Sequence, residues 1–209
     1  MLTHCGTQPL KTPRLLLRRA IRADAEPMFR NWASDPNVTR YLTWPAHKTV
    51  AEAEAILNHW IGEYQKPDFY QWMIVLKELE EPIGSISVVR RRDDVQEAEI
   101  GYCLGRLWWH QGIMTESLKA VMAFLFTEVG MNRIAARHDT NNPHSGAVMR
   151  NCGMLYEGTL RASDRNNQGL CDVVQYAILR SDWENQNQSQ HPCPNIYLAD
   201  PKNLNVPEI

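Results

Sequence analysis

Residues Glu99 to Glu116 read EIGYCLGRLWWHQGIMTE, and the fold follows from how this stretch divides. In its first half Ile100, Tyr102 and Leu104, continuing from Ala98, alternate with Glu99, Gly101 and Cys103, the period of two of a strand. In its second half Gln111 opens a helix, with Met114, Leu118, Val121, Met122 and Leu125 at helical spacing. A short turn from Gly105 to Gly112 joins the halves. Strand, glycine-bearing turn and helix start leave the first helical N–H groups without partners, at the positive end of the helix dipole. That is a place for an anion, and a diphosphate is the obvious guest.

The surrounding chain supplies the rest of a sheet. Upstream, Arg14–Arg19 reads as a strand after a loose lead-in, and Asp24–Ala33 as a helix broken by Asp35-Pro36-Asn37. Thr49, with Glu52 three residues on, predicts a capping box for a helix reaching Tyr64. Between these helices lies an aromatic segment with Tyr41, Trp44 and His47, a candidate substrate mouth. Tyr70–Leu76, Ile83–Arg91 and Val95–Leu104 follow as an antiparallel meander, with Gly84 placed for a bulge or a close approach. Downstream, Gly130 caps the long helix, Asn132–His138 is a strand, and Asn142 caps a helix that Gly153 ends. Met154–Arg161 and Val173–Leu179 complete the set. The element order is β-α-α-β-β-β-α-β-α-β-β, a single α+β domain over residues 1–183. Residues 184–209 are polar and proline-bearing, and read as a linker-like tail.

The totals exclude several classes. A net charge of −2 leaves no dedicated nucleic-acid surface, since Arg90-Arg91-Arg92 is answered at once by Asp93-Asp94. No run reaches the ~18–20 apolar residues of a membrane span, and the N-terminus lacks a signal peptide's apolar core. Five cysteines, scattered and without a CxxC pair, suit free thiols in a reducing cytoplasm. No histidines sit at metal-ligand spacing, so no metal is expected.

Three patterns together resemble the Gcn5-related N-acetyltransferases (GNAT), and more narrowly their RimJ/RimL-like branch. They are TPRLLLRRAIRADAEPMF, the EIGYCLGRLWWHQGIMTES segment, and NNPHSGAVMRNCGM followed by YEGTLR. The resemblance covers about Thr12 to Trp183. It implies a mostly antiparallel sheet in which two parallel strands, Val95–Leu104 and Asn132–His138, splay apart around acetyl-CoA. The exposed strand edges would bond the pantetheine, involving Tyr102, Cys103 and Leu104. The diphosphate would sit on the turn and helix start, Trp109, His110, Gln111, Gly112, Ile113, Met114 and Thr115. Against the superfamily pattern Q/R-x-x-G-x-G/A only Gly112 survives, and Met114 must point away from the phosphates.

Acetyl transfer needs a neutral amine, a polarised carbonyl and a stabilised leaving thiolate. An α-amine (pKa ~7.7–8.0) is partly neutral at pH 7, a lysine (~10.4) hardly so. Glu99 matches the glutamate assigned as base in this superfamily, with Glu97 its nearest competitor. Ser145 is the candidate thiol donor, because Met149 holds the position where many members carry a tyrosine. Asn142 would contact the pantetheine, a backbone N–H near Cys103 or Leu104 the oxyanion, and Tyr41 and Trp44 the substrate. The resemblance implies direct transfer to a protein N-terminal amine, or alternatively to a small amine, by a monomer or homodimer without nucleic acid or membrane. A CoA-binding sensor is the reading from a different class, and Met114 and Met149 motivate it.

Overall fold

Strand alternation and helical periodicity are realised as eight strands and six α-helices over the described residues, 1–189 of this computed structural model. Strands β1 (Leu10–Lys11), β2 (Leu15–Arg18), β3 (Gln71–Leu76), β4 (Glu81–Arg92), β5 (Glu97–Leu104), β6 (Arg133–Asp139), β7 (Leu155–Asn166) and β8 (Gly169–Leu179) form one sheet. Its order is β1-β2-β3-β4-β5-β6-β8-β7. Every neighbouring pair is antiparallel except β5 and β6. This is the expected α+β architecture.

Alternation along the strands feeds two cores, one on each face. On one face Met73, Val75 and the half-buried Cys103 pack with α1 (Ala25–Met28), its π-helical continuation Phe29–Ala33, α2 (Pro36–Thr39) and α3 (Val50–Glu63). On the other, Ile86, Ile100, Leu104, Ile134 and Ile178 pack with α4 (Ile113–Phe124) and α5 (Pro143–Asn151). Helix α4 is buried on most of its circumference, from Ile113 and Met114 through Leu118 to Phe124. That firmly fixes where its N-terminus points. Helix α6 (Arg180–Ser189) lies against the same core, Trp183 tilted on Phe126 with ring centroids 5.3 Å apart.

The fork at the sheet's centre positions everything that follows. Parallel pairing joins Glu97 to Arg133, Ala98 to Ile134 and Glu99 to Ala135, and then stops. Beyond it β5 stays with β4 and β6 stays with β8, so their facing edges part. A bulge between Val88 and Arg90, opposite the last paired residues, bends the β4–β5 ribbon at that level. Gly84 lets the same ribbon close up, since a Cβ there would lie 2.4 Å from the Cys103 carbonyl oxygen.

The lead-in is not loose. Leu10 and Lys11 pair with β2, Leu10 is fully buried, and Thr3 N–H donates to Val129 O. The break at Asp35-Pro36-Asn37 is a start as well: the Asp35 side chain accepts from the Asn37 N–H and caps α2. The predicted capping box does not form. Thr49 is extended and its side chain makes no cap bond, while Glu52 accepts from the Lys48 N–H instead. Helix α6 also crosses the boundary expected at residue 183, and Gln186 Nε2 donates to Gly153 O on the body. The remaining tail, 190–209, lies outside the described residues.

Candidate active site

Beside the fork lies a cavity of about 730 Å³, within the range of small-molecule sites. The edge of β5 forms one wall, the turn into α4 a second, and the start of α5 a third. Tyr41 closes one end. Of the residues read from sequence, Tyr41, Tyr102, Cys103, Leu104, Trp109, His110, Gly112, Ile113, Met114, Thr115, Asn142 and Ser145 all line it. Four do not. Gln111 turns back, donating from Nε2 to Leu107 O, and Met149 is fully buried in the core. Trp44 rests on the α1–α3 core, and Glu99 sits on the opposite face of the sheet.

The turn is strained into place. His110 (φ 59°) and Gly112 (φ 73°) are both left-handed, which costs a side-chain-bearing residue and favours glycine. The turn delivers the chain into α4, whose first residues Ile113, Met114 and Thr115 line the cavity with Gly112. Met114 is buried and packs into the core while also bordering the cavity. A clamp that sequence reasoning missed holds this end. Glu116 accepts from Thr12 Oγ1 (2.5 Å), the Arg14 N–H (3.0 Å) and Arg14 Nε (2.7 Å), while Arg14 Nη1 donates to Gln111 O. Burial alone would raise the Glu116 carboxyl, but the bonds from Thr12 and Arg14 outweigh it and hold it below its ordinary value.

Backbone direction along β5 follows from its partners. Gly105 N–H donates to Ile83 O, and the Cys103 carbonyl abuts Gly84, so odd-numbered residues bond toward β4. By alternation the amides of Tyr102 and Leu104 turn to the fork. Trp109 Nε1 already donates to Leu104 O at 2.7 Å. Burial raises the Cys103 thiol, which lies 3.4 Å from Ser85 Oγ.

Ser145 has a partner that its sequence position did not reveal. The Tyr102 hydroxyl lies 3.0 Å from both Ser145 O and Ser145 Oγ. A carbonyl only accepts, so the phenol donates to it and the serine hydroxyl can donate to the phenol oxygen. Burial keeps the phenol protonated, its pKa raised well above the ordinary value. Asn142 stands at the start of α5 without a side-chain cap bond, contrary to expectation. Pro143 at the first helical position has no N–H to leave unpaired, and Asn142 borders the cavity. His110 and His144 meet edge to face at the rim, centroids 4.8 Å apart.

The other side of the fork is built from ions. Glu99, 2 % exposed, faces Arg90 at 2.6 Å and Arg137 at 2.9 Å, and Arg137 reaches Asp164 at 3.4 Å. A second rung runs beside it, Glu97 to Arg133 (2.6 Å) to Glu157 (2.5 Å). Adjoining this ladder is a smaller cavity of about 70 Å³. Tyr41 and Thr43 line it from the loop before α3, Arg137, His138 and Asp139 from β6, and Asp164, Asn166 and Cys171 from the β7–β8 hairpin. Tyr41 borders both cavities. Burial alone would raise Asp139, but the Asn141 N–H and the Asn166 and Asn141 amides hold it below its ordinary value. Among the described residues no three His, Cys, Asp or Glu side chains gather as a metal site, and no helix is long and apolar enough to cross a membrane.

Comparison with known proteins agrees with this geometry. The chain is 28% identical over 176 residues, 84% of its length and 98% of the relative, to the uncharacterized N-acetyltransferase p20 of Bacillus licheniformis. It is 31% identical over 108 residues, 52% of this chain and 60% of the relative, to the ribosomal-protein-serine acetyltransferase of Escherichia coli. Among solved structures it superposes on the ribosomal L7/L12 alpha-N-protein acetyltransferase RimL in complex with coenzyme A. The TM-score there is 0.72 at 23% identity, covering 80% of this chain and 95% of that one. The family model of the acetyltransferase (GNAT) domain matches residues 14–155. The splayed parallel pair, the turn into α4 and this match have one reading: the chain belongs to the GNAT family and is an acetyltransferase.

Proposed function

We propose that this enzyme transfers acetyl from acetyl-CoA directly to a primary amine, with the α-amine of a protein N-terminus as acceptor. The observation that carries the reading is the single cavity joining the open edge of β5 to the N-terminus of α4. Backbone groups there suit a long amide-bearing diphosphate without side-chain charge. Acetyl-CoA, when bound, supplies the activated acetyl thioester.

The chain's own groups divide the remaining work. The N–H groups from Gly112 to Thr115 hold the diphosphate, with His110 at the rim. The Tyr102 and Leu104 amides, turned to the fork, bond the pantetheine and polarise the carbonyl, and Asn142 adds a side-chain contact. Ser145 Oγ donates a hydrogen bond to the departing thiolate, which then takes its proton from solvent, while the Tyr102 phenol, bonded to the Ser145 carbonyl, holds the serine in place. Glu99, at the last paired level of the fork, takes the amine proton through water, although Arg90 and Arg137 face its two oxygens.

Likeness to the ribosomal-protein-serine acetyltransferase and to RimL supports a protein acceptor. Free thiols at Cys5, Cys103, Cys152 and Cys171 suit a cytoplasmic setting. A small-amine acceptor is the second reading, and the narrow cavity with Asp139 and Asp164 favours it. Thiol release from acetyl-CoA, followed with peptides of varied first residue and with small amines, tests both. Peptide-dependent release is the expected result. Release with small amines alone would move the acceptor class, and no acceptor-dependent release would overturn the proposal.

A further inference from the structure

One residue at the tip of the β7–β8 hairpin bridges the molecule over the smaller cavity. The Asn167 N–H donates to Leu42 O at 3.1 Å, and its Nδ2 donates to Thr39 O at 2.8 Å and to Trp44 O at 2.7 Å. Both Nδ2 hydrogens are thereby used, on the carbonyl of the last α2 residue and on one in the loop between α2 and α3. The neighbouring Asn166 fastens the same tip to β6, its Nδ2 donating to Asp139 Oδ2 at 2.6 Å. The hairpin is therefore held at both feet, and the cavity lies beneath it, bounded by Tyr41 and Thr43 on the loop side and Asp164 on the hairpin side.

We propose that Asn167 is a clasp that sets the acceptor's size. This rests on the transferase reading, because it takes the smaller cavity as the place where the amine approaches the fork past Tyr41. With the clasp shut, about 70 Å³ admits an amine head on a slim stem. The carboxylate of Asp164 and the guanidinium of Arg137 meet that head at the wall. A bulky side chain on the amine-bearing carbon needs the hairpin tip lifted from the loop. The acceptor class is thus a primary amine on an unencumbered carbon, whether at a peptide terminus or on a small molecule.

The test compares the wild type with Asn167→Ala, which removes both side-chain bonds and keeps the backbone one. Acetyl-CoA thiol release is followed with peptides differing only in a small or bulky first residue, and with a linear diamine as the small-molecule arm. Loss of two hydrogen bonds shifts clasp opening by about tenfold. The ratio of kcat/KM for bulky over small first residues is expected to rise by about that factor, while the diamine and the small-residue peptide stay within about threefold. An unchanged ratio would overturn the clasp.

Cys171, a free thiol on the cavity wall, gives a readout that needs no turnover. Its alkylation by a bulky maleimide, read by peptide mass spectrometry at fixed pH, is expected to accelerate several-fold in Asn167→Ala but not in Gln168→Ala. Equal rates in wild type and Asn167→Ala would also overturn the clasp. If no amine in the panel drives thiol release, the transferase reading falls, and Cys171 labelling still decides whether Asn167 closes the cavity.

Discussion

The two sides of the β5–β6 fork are made of different materials. On the α4–α5 side the groups that face the cavity are backbone amides, a helix start and one phenol–serine pair. On the other side the sheet is crossed by two rungs of alternating charge, Arg90–Glu99–Arg137–Asp164 and Glu97–Arg133–Glu157. Backbone groups are present whatever the side chains are, so that side is expected to tolerate Met114 where the family pattern has Gly or Ala. Ion pairs are the property of particular residues, and removing one leaves its neighbours uncompensated. The sharpest contrast between the sides should therefore appear under single substitutions.

Glu99 is where the ionic side should break first. Glu99→Ala leaves Arg90 and Arg137 facing each other across a buried site. The expected loss of stability is ~2 kcal/mol, less than for a fully buried pair because both guanidinium groups reach solvent. Turnover is expected to fall by about a hundredfold or more, the usual scale for a general base, while coenzyme A affinity stays put. Thermal denaturation, thiol release and calorimetric titration separate the three. If Glu99→Gln retained full turnover, Glu99 would be a strut for Arg137 and not a base.

On the backbone side the largest single effect belongs to the Tyr102–Ser145 pair. Ser145→Ala and Tyr102→Phe should each lower kcat by about tenfold to a hundredfold with little change in coenzyme A affinity. Because the two hydroxyls share one chain of bonds, the double variant should be no worse than the poorer single one. Additive losses would mean that the two act separately.

The same division explains what could be read in advance. The strand of alternating residues before Leu104, Gly112 in the turn that follows and Gly130 as a cap are local patterns, and each is where the sequence puts it. The partners of Glu99 are not local. Arg90 reaches it across a bulge that displaces the β4 register, and Arg137 across a parallel pair joined only through a long crossover. Tyr102 was legible as a cavity residue, yet its bond to Ser145 depends on how α5 seats on the sheet. The Thr12–Arg14–Glu116 clamp and the Asn167 bridge join residues more than 100 positions apart in the chain. The Thr49 box failed for the opposite reason: its local motif was present and Thr49 stands at the N-cap, but its side chain makes no cap bond and Glu52 accepts from the Lys48 N–H instead.

A glycine pair sharpens the contrast at a smaller scale. At Gly112 a Cβ would meet nothing closer than Arg14 Nη2 at 3.7 Å, so Gly112→Ala is opposed by backbone conformation alone. That costs ~1 kcal/mol, and coenzyme A affinity should fall by roughly fivefold as the turn relaxes. Gly130→Ala carries a similar strain at the far end of the helix, φ 90° with Met1 O at 3.5 Å. It should lower Tm and leave coenzyme A affinity unchanged. Equal losses of affinity in both variants would show that the turn is not a binding device.

The smallest expected effect is a dependence on pH, and its sign follows from His138. The ring lies between the two sides, stacked on Tyr176 and packed so close to Gly146 that a Cβ there would lie 2.5 Å from Nε2. Nδ1 lies 2.8 Å from the Asp139 carbonyl, which can only accept, so Nδ1 carries a proton, while Nε2 is buried with no hydrogen-bond partner for a second one. Burial pushes its pKa below the ordinary 6.5. The unfolded chain therefore takes up the proton first, and stability present above pH 6.5 is lost as the pH falls below it. His47, also lowered by burial, contributes in the same direction. Between pH 7 and 5 the wild type should lose Tm more steeply than His138→Gln, which cannot take up that proton. Parallel profiles would mean that the ring can be protonated in place, and that the packing of α5 on β6 yields where the geometry holds it closed.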